Sequence, residues 1–244
     1  MEIALKKRPE VLNSCTMNKR LQYLVAFLCI IVFASCGSSR KGMENDFYNK
    51  HNELKVKAKN GLFSSLHITF GPYTTGEKQS GIDKNIINFA SKRAPFHFSL
   101  NDNGGNSTAV QAVYTDKSSL EAKRLPAILD TTRTGDIFYA WVRGGSVNAL
   151  KNWELMIKNP TYAGLASDDQ VGVFRSPTEL ITVHANNRFG TGGSYTNMCF
   201  EFKLRGVSIG AVTVNGDNRV WIDRQLDKET RFALAGAIAS LMMR

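Results

Sequence analysis

The feature that most constrains this chain is a short helix near its C-terminal end that is apolar on every side. Asp227 is a typical helix N-cap, and the residues after it predict a helix over 228–243. From Phe232 to Met243 only Ser240 interrupts the apolar residues, so the helix lacks a polar face. These 12 residues span ~18 Å at ~1.5 Å per residue, too short to cross ~30 Å of hydrocarbon. The helix is therefore predicted to be buried inside a folded domain.

Most of the preceding chain shows the alternation of apolar and polar residues that is typical of β-strands. In the last third, Phe200 and Phe202 alternate with Glu201 and Lys203, and Asn215–Gly216 is a strong tight-turn signal. The predicted strands, about ten in number, are 66–70, 96–100, 109–114, 136–142, 153–157, 171–174, 180–185, 198–204, 207–214 and 219–222.

A buried helix in a chain of strands needs those strands around it. Alanine and glycine within the helix make it thin, so neighbouring backbone can approach closely. We therefore expect a mostly β fold, an antiparallel barrel of about 10–12 strands around the C-terminal helix, because closure also removes exposed sheet edges. The alternative is a β-sandwich with the helix packed on one face. One domain is expected over residues 61–244.

The C-terminal region resembles a known family. A hairpin, a strand, an acidic cap and a hydrophobic helix follow one another from Phe200 to Met243, as in the tubby-like and LURP-one-related proteins. The resemblance covers about 45 residues plus the strand number. It implies a β-barrel of about twelve strands around the helix, and it carries no diagnostic motif or binding residue over to this chain.

The N-terminal region has the pattern of an export signal. Basic residues precede the apolar run from Leu21 to Ala34, and the small pair Ala34–Ser35 stands directly before Cys36. This arrangement resembles the lipobox of bacterial lipoproteins, although Phe33 stands where that pattern prefers leucine. The resemblance implies a signal peptide over 1–35 and attachment of lipid, including palmitate, to Cys36. The alternatives are a plain cleaved signal and an uncleaved anchor. A signal that starts at Met17 has ordinary proportions, so translation is expected to start there. The alternative is a long n-region that is removed with the signal.

The same interpretation predicts location and partners. The protein is expected in the bacterial cell envelope, lipid-anchored to a membrane and facing the periplasm or the exterior, with residues 36–60 as a polar tether. The chain without residues 1–35 has 26 basic and 19 acidic side chains, a formal charge of +7. Anionic lipid and envelope proteins are the expected partners, and nucleic acid is not. The tether contains several basic residues with three acidic ones among them: Arg40, Lys41, Lys50, Lys55, Lys57 and Lys59, with Glu44, Asp46 and Glu53. These basic residues could press the tether onto an anionic membrane, but a solvated basic linker is favoured.

The residues suited to chemistry are few and scattered. Cys199 is the one thiol left after processing, and it stands on the outward face of its strand beside Glu201. His67, His97 and His184 fall on the polar faces of their strands and are expected to face solvent, without the spacing of a metal site. The glycine-rich segment 190–194 leads into a strand, so a hairpin loop is favoured over a phosphate cradle. No catalytic residue, metal or cofactor is predicted.

Aromatic and arginine side chains on polar strand faces form a candidate binding surface. Tyr139, Trp141 and Arg143 lie opposite the core-facing Phe138 and its neighbours, and Trp221 similarly stands between Val220 and Ile222. The alternative is that loops or the tether cover these side chains.

The functional expectation is a non-catalytic binding module for an envelope lipid, glycan or protein. A first alternative is an accessory or structural subunit of an envelope complex. A less favoured alternative is a hydrolase that uses Cys199 or the strand histidines.

Overall fold

The computed structural model describes residues 46–49, 52–61, 64–88, 93–120, 125–130, 136–144, 151–190 and 194–244. All of them belong to one compact unit, Met43–Arg244. The signal peptide, Met17 and Cys36 lie outside the described residues, so their assignments stay predictions.

Fourteen strands and four α-helices are found in the described residues, together with a short 3-10 helix, Asp46–Tyr48. The strands are β1 (Glu53–Leu54), β2 (Val56–Gly61), β3 (Ser64–Phe70), β4 (Tyr73–Thr75), β5 (Gln79–Ser80), β6 (Arg93–Asp102), β7 (Ser107–Thr115), β8 (Ile137–Val142), β9 (Trp153–Lys158), β10 (Asp169–Arg175), β11 (Leu180–Asn186), β12 (Met198–Leu204), β13 (Val207–Val214) and β14 (Val220–Ile222). The helices are α1 (Lys117–Leu120), α2 (Ala127–Asp130), α3 (Tyr162–Ser167) and α4 (Lys228–Met243).

The strands form one antiparallel, nearly closed barrel. Neighbours follow the order β1-β14-β13-β12-β11-β10-β9-β8-β7-β6-β4-β3-β2, and β5 adds to β6. The two ends of this order, β1 and β2, are consecutive pieces of the chain separated by Lys55 alone. β1 pairs with β14 and β2 pairs with β3, so this one segment joins the two edges of the sheet. Joining the edges leaves few unpaired backbone groups at the rim.

Helix α4 threads the barrel and supplies the centre of its core. Asp227 caps the helix by accepting a hydrogen bond from the Thr230 backbone N–H at 2.9 Å. Every residue from Phe232 to Leu241 is buried. The apolar side chains among them pack in one cluster with inward side chains of the strands. A Cβ atom added at Gly236 would lie 2.8 Å from Val142, and one added at Gly210 would lie 2.7 Å from Leu234. Glycine at these two positions lets helix and wall interlock.

Outside the barrel wall, two smaller apolar clusters cover parts of the sheet. The first, the Tyr139 cluster, lies over β7 to β10 and comprises Ile87, Val113, Leu120, Leu129, Ile137, Tyr139, Met156 and Val173. The second, the Trp221 cluster, lies over β12 to β14 and comprises Phe47, Tyr48, Cys199, Ala211 and Trp221, with Phe189 against it. Strand side chains that point away from the lumen are therefore not all in contact with solvent.

The barrel around a buried C-terminal helix confirms the predicted fold class, and the sandwich alternative is wrong. The ten predicted strands are all present, and the helix over 228–243 has the predicted bounds. The boundary of the domain needs correction, because Glu53–Gly61 forms β1 and β2 rather than part of a tether. Its lysines hid this strand pattern, since one of its faces points to water. Within the described residues, no helix is both long and apolar enough to cross a membrane.

The interlock between helix and wall predicts the effect of Gly236→Leu. Overfilling a packed core costs about 1–3 kcal/mol, and we expect a loss of that size in the free energy of unfolding measured with urea. Val142→Ala removes two of the three nearest atoms that the new side chain would meet, and the third belongs to Val110. The loss caused by Gly236→Leu should therefore be smaller in a Val142→Ala background. Equal stability of Gly236→Leu and wild type would contradict this packing.

Candidate binding site

A pocket opens at the end of the barrel where α4 enters. Its volume is about 430 Å³, within the range of small-molecule sites. Its apolar wall is formed by Leu54 of β1, Tyr73 of β4, Ile222 of β14 and Phe232 of α4. Its polar lining is formed by Asp102, Asn103, Arg224, Lys228 and Arg231. Elements that are distant in sequence therefore meet around one cavity.

The first turn of α4 supplies three lining residues from one face. Lys228, Arg231 and Phe232 stand at positions i, i+3 and i+4, which lie next to each other on a helix. Burial works against the charge of Asp227, but hydrogen bonds from the Thr230 and Glu229 backbone outweigh it and lower the pKa of this carboxyl. The capped turn holds the three side chains at the mouth of the pocket.

Two turns form the opposite wall. The Asn103 backbone N–H donates to the Pro72 carbonyl at 3.0 Å, which joins the β3–β4 turn to the β6–β7 turn. Asp102 accepts hydrogen bonds from the backbone N–H groups of Gly104 at 2.8 Å and Asn106 at 2.9 Å. Burial opposes the charge of Asp102, yet these bonds prevail and lower its pKa. This carboxylate is thus engaged by its own turn.

Positive charge dominates the lining. Arg224, Lys228 and Arg231 face one carboxylate, Asp102, and Lys228 lies close enough to Asp102 to favour its ionised form. Burial raises the pKa of Tyr73, while the neighbouring Arg231 works in the opposite direction. The phenol therefore stays neutral at ordinary pH, and it packs with Phe232 at a ring-centroid distance of 6.1 Å. The arrangement suits binding of a molecule with an apolar part and a negative group.

The structure separates Trp221 from the other three residues of the predicted binding surface, which lie on or next to β8. Tyr139 is fully buried in the Tyr139 cluster, and its hydroxyl donates to Glu154 Oε1 at 2.7 Å. Burial, followed by the charge of Glu154, raises the pKa of Tyr139. Trp141 is partly buried at the edge of the same cluster, and Arg143 is exposed at the end of β8. Tyr139 therefore cannot contribute to an exposed surface, which corrects the prediction for this residue.

Trp221 is also fully buried, which corrects the prediction for it as well. Phe189 stacks on its ring at 4.8 Å between centroids, and Tyr48 meets it edge-on at 5.4 Å. Arg219 covers the ring from a distance of 4.7 Å. Tyr48 belongs to the segment that was expected to be a tether, so the tether covers Trp221. Tyr139 is covered by residues outside the barrel strands, such as Ile87, Leu120 and Leu129. The alternative that loops or the tether cover these aromatic residues therefore describes both of them.

Cys199 lies under the same cover, next to a buried carboxylate. The Glu201 side chain is 1% exposed; it accepts hydrogen bonds from Ser208 and from Asn186, and Lys203 and Arg188 each lie 3.9 Å away. Burial, then the charge of Glu201, raises the pKa of the Cys199 thiol. Burial, then Cys199 and Glu201, likewise raises the pKa of Tyr48. A protonated, covered thiol is a poor nucleophile.

The strand histidines are partly buried rather than fully turned to solvent. His97 Nδ1 donates to the Gly81 carbonyl at 2.9 Å, and His184 Nδ1 donates to the Asp168 carbonyl at 2.9 Å. His67 stands opposite Lys59 on β2. Across the described ranges, no three histidine, cysteine or carboxylate residues gather as a metal site would require. The central part of the glycine-rich segment 190–194 lies outside these ranges.

Sequence reasoning missed the pocket, although one signal was present. Lys228 and Arg231 stand in the first helical turn, where the positive end of the helix dipole disfavours cations. Comparison with protein-family models, with curated proteins and with solved structures gives no match to this chain. The assignment of a binding site therefore depends on the geometry of the pocket itself.

The cover over Cys199 predicts its reactivity. The parent protein for this test has Cys15, Cys29 and Cys36 replaced by serine, so Cys199 is its one thiol. We expect Cys199 to react with a disulfide reagent at pH 8 at least tenfold faster after Tyr48→Ala than in this parent. The reason is that Tyr48 covers the thiol in the Trp221 cluster. Tyr195→Ala, which removes an exposed tyrosine, is the control and should react as the parent does. Equal rates for folded parent and urea-unfolded protein would contradict the burial.

Proposed function

We propose that this protein is a lipid-anchored binding module of the bacterial cell envelope that holds a small ligand in the pocket at the mouth of its barrel. The pocket is the observation that carries the proposal. Its walls come from four separate parts of the chain and are fixed by the capped helix and by paired turns. Such a preformed cavity with an apolar wall and a few polar groups is typical of ligand sites.

Attachment at Cys36 is the second part of the proposal, and it is supported by the lipobox-like segment that ends there. A row of exposed lysines is compatible with a membrane close by. Lys55, Lys57 and Lys59 stand at alternate positions of the segment that closes the barrel, Glu53–Gly61, here called the closing segment, and all three are exposed. Each basic residue near an anionic surface contributes about 1 kcal/mol of attraction. The row would press the wall of the barrel toward an anionic bilayer.

Lipid attachment predicts a labelling result. Cells that express the full chain are fed radiolabelled palmitate. The wild type should be labelled and Cys36→Ala should not, because the proposed lipid is attached to Cys36. Cys199→Ala serves as the control and should keep its label, since that thiol is buried in the domain. Equal labelling of wild type and Cys36→Ala would contradict the proposed anchor.

The ligand site is tested by filling the pocket. Asn103 is exposed and lines the pocket, and its backbone hydrogen bond to Pro72 does not need the side chain. Asn103→Trp should fill the mouth without disturbing the fold. We expect native mass spectrometry of wild type purified from bacterial envelopes to show a bound small molecule that Asn103→Trp lacks.

The matched control is Asn85→Trp, which places the same bulk at an exposed turn away from the pocket. It should retain the bound molecule. A wild-type protein without any bound molecule, or one whose bound molecule persists in Asn103→Trp, would contradict the pocket as the ligand site.

A further inference from the structure

We infer that the ligand of the mouth pocket is a single-chain anionic amphiphile, a molecule with one short hydrocarbon chain and one carboxylate or phosphate group. This inference rests on the proposed function, because it takes the pocket as the ligand site. It adds the chemical class of the ligand, which follows from the lining, the charge and the size of the cavity.

The apolar wall selects for hydrocarbon. Tyr73, Ile222 and Phe232 are at most 5% exposed, and they continue directly into the main core of the barrel. Leu54 packs against the same core from the closing segment. Replacing water at the apolar part of this wall by a hydrocarbon chain gains roughly 25 cal/mol for each Å² covered.

The charged lining selects for an anion at the open end. Lys228 and Arg231 project from the first turn of α4, where the helix dipole adds about half a positive charge. Cations at this end of a helix oppose its dipole. Arg231 also donates a hydrogen bond to the Arg224 carbonyl at 3.1 Å, which holds its guanidinium at the pocket. Arg224 adds a third cation to the lining. Among the described residues that line the pocket, Asp102 is the single carboxylate, and its own turn already supplies its hydrogen bonds.

The volume of the pocket suits a ligand with one short chain. At about 30 Å³ for each water-sized group, a cavity of about 430 Å³ holds roughly 14 non-hydrogen atoms. Decanoate has a size of this order, with its hydrocarbon against the wall and its carboxylate near the cations. A phospholipid with two long chains exceeds the volume. The same head-group chemistry could also be offered by a bilayer surface, so the test must separate free amphiphile from membrane.

The test uses the mature chain with Cys36→Ser, titrated by calorimetry with decanoate, decanol and decyltrimethylammonium. We expect decanoate to bind at least tenfold more tightly than the other two. Binding should be lost in Asn103→Trp. The combined substitution Lys228→Glu and Arg224→Glu should weaken decanoate binding at least tenfold, with decanol binding unchanged. The combined substitution Lys57→Glu and Lys59→Glu makes the same change of charge on β2 and should leave decanoate binding unaltered.

A membrane arm of the experiment measures sedimentation with phosphatidylglycerol vesicles. We expect Asn103→Trp to sediment as the parent does, because an intact lipid does not enter the pocket. In the contradicting outcome, Asn103→Trp loses vesicle binding and the parent does not bind decanoate. The pocket then contacts lipid in the bilayer instead of a free amphiphile, and the inference is overturned.

The other outcomes separate the inference from the proposed function. In one outcome, decanoate, decanol and decyltrimethylammonium bind with equal affinity. If this binding is lost in Asn103→Trp but unchanged in the combined Lys228→Glu and Arg224→Glu variant, the ligand is not selected for its negative charge. That outcome overturns the inference and leaves the pocket as a ligand site. No binding of any chain overturns the inference, while the native mass spectra of wild type and Asn103→Trp still decide whether the pocket holds a ligand.

Discussion

The structure depends on the burial of a helix that has no polar face. Helix α4 is stable in water only if strands surround it, and each fully buried leucine or phenylalanine contributes about 1.5–3 kcal/mol relative to exposure. The fit is reciprocal: Gly210 of the wall receives Leu234 of the helix, and Gly236 of the helix receives Val142 of the wall. Closure of the barrel by one segment, Glu53–Gly61, completes the enclosure.

The same helix also creates the site. Its capped first turn brings Lys228, Arg231 and Phe232 to the mouth of the barrel, so the pocket exists only when the helix is docked. A ligand held there binds the folded state alone, and it therefore stabilises the domain by an amount that grows with its concentration relative to its Kd. In the proposed function, folding and ligand binding are therefore linked through helix α4. The outer clusters close the remaining wall and remove Trp221 and Tyr139 from solvent.

Local patterns were enough to predict the elements, but not the contacts between distant ones. The periodicities of Val207–Val214 and of α4 identify both elements with their observed bounds. The closing segment was missed because its lysines look like a solvated linker, and only pairing with β14 and β3 makes it a strand. The burial of Trp221 comes from Tyr48 and Phe189, which are far away in sequence. The pocket was missed because its lining residues are likewise far apart in sequence.

Hydrogen exchange of the backbone amides in α4 tests whether the barrel encloses this helix. If the helix is enclosed by the barrel, its amides from Phe232 to Met243 can exchange only when the whole domain unfolds. These amides should then exchange with the same free energy and the same dependence on urea as the amides of β7 and β8. Exchange of the helix through local opening, while β7 and β8 stay protected, would contradict the account.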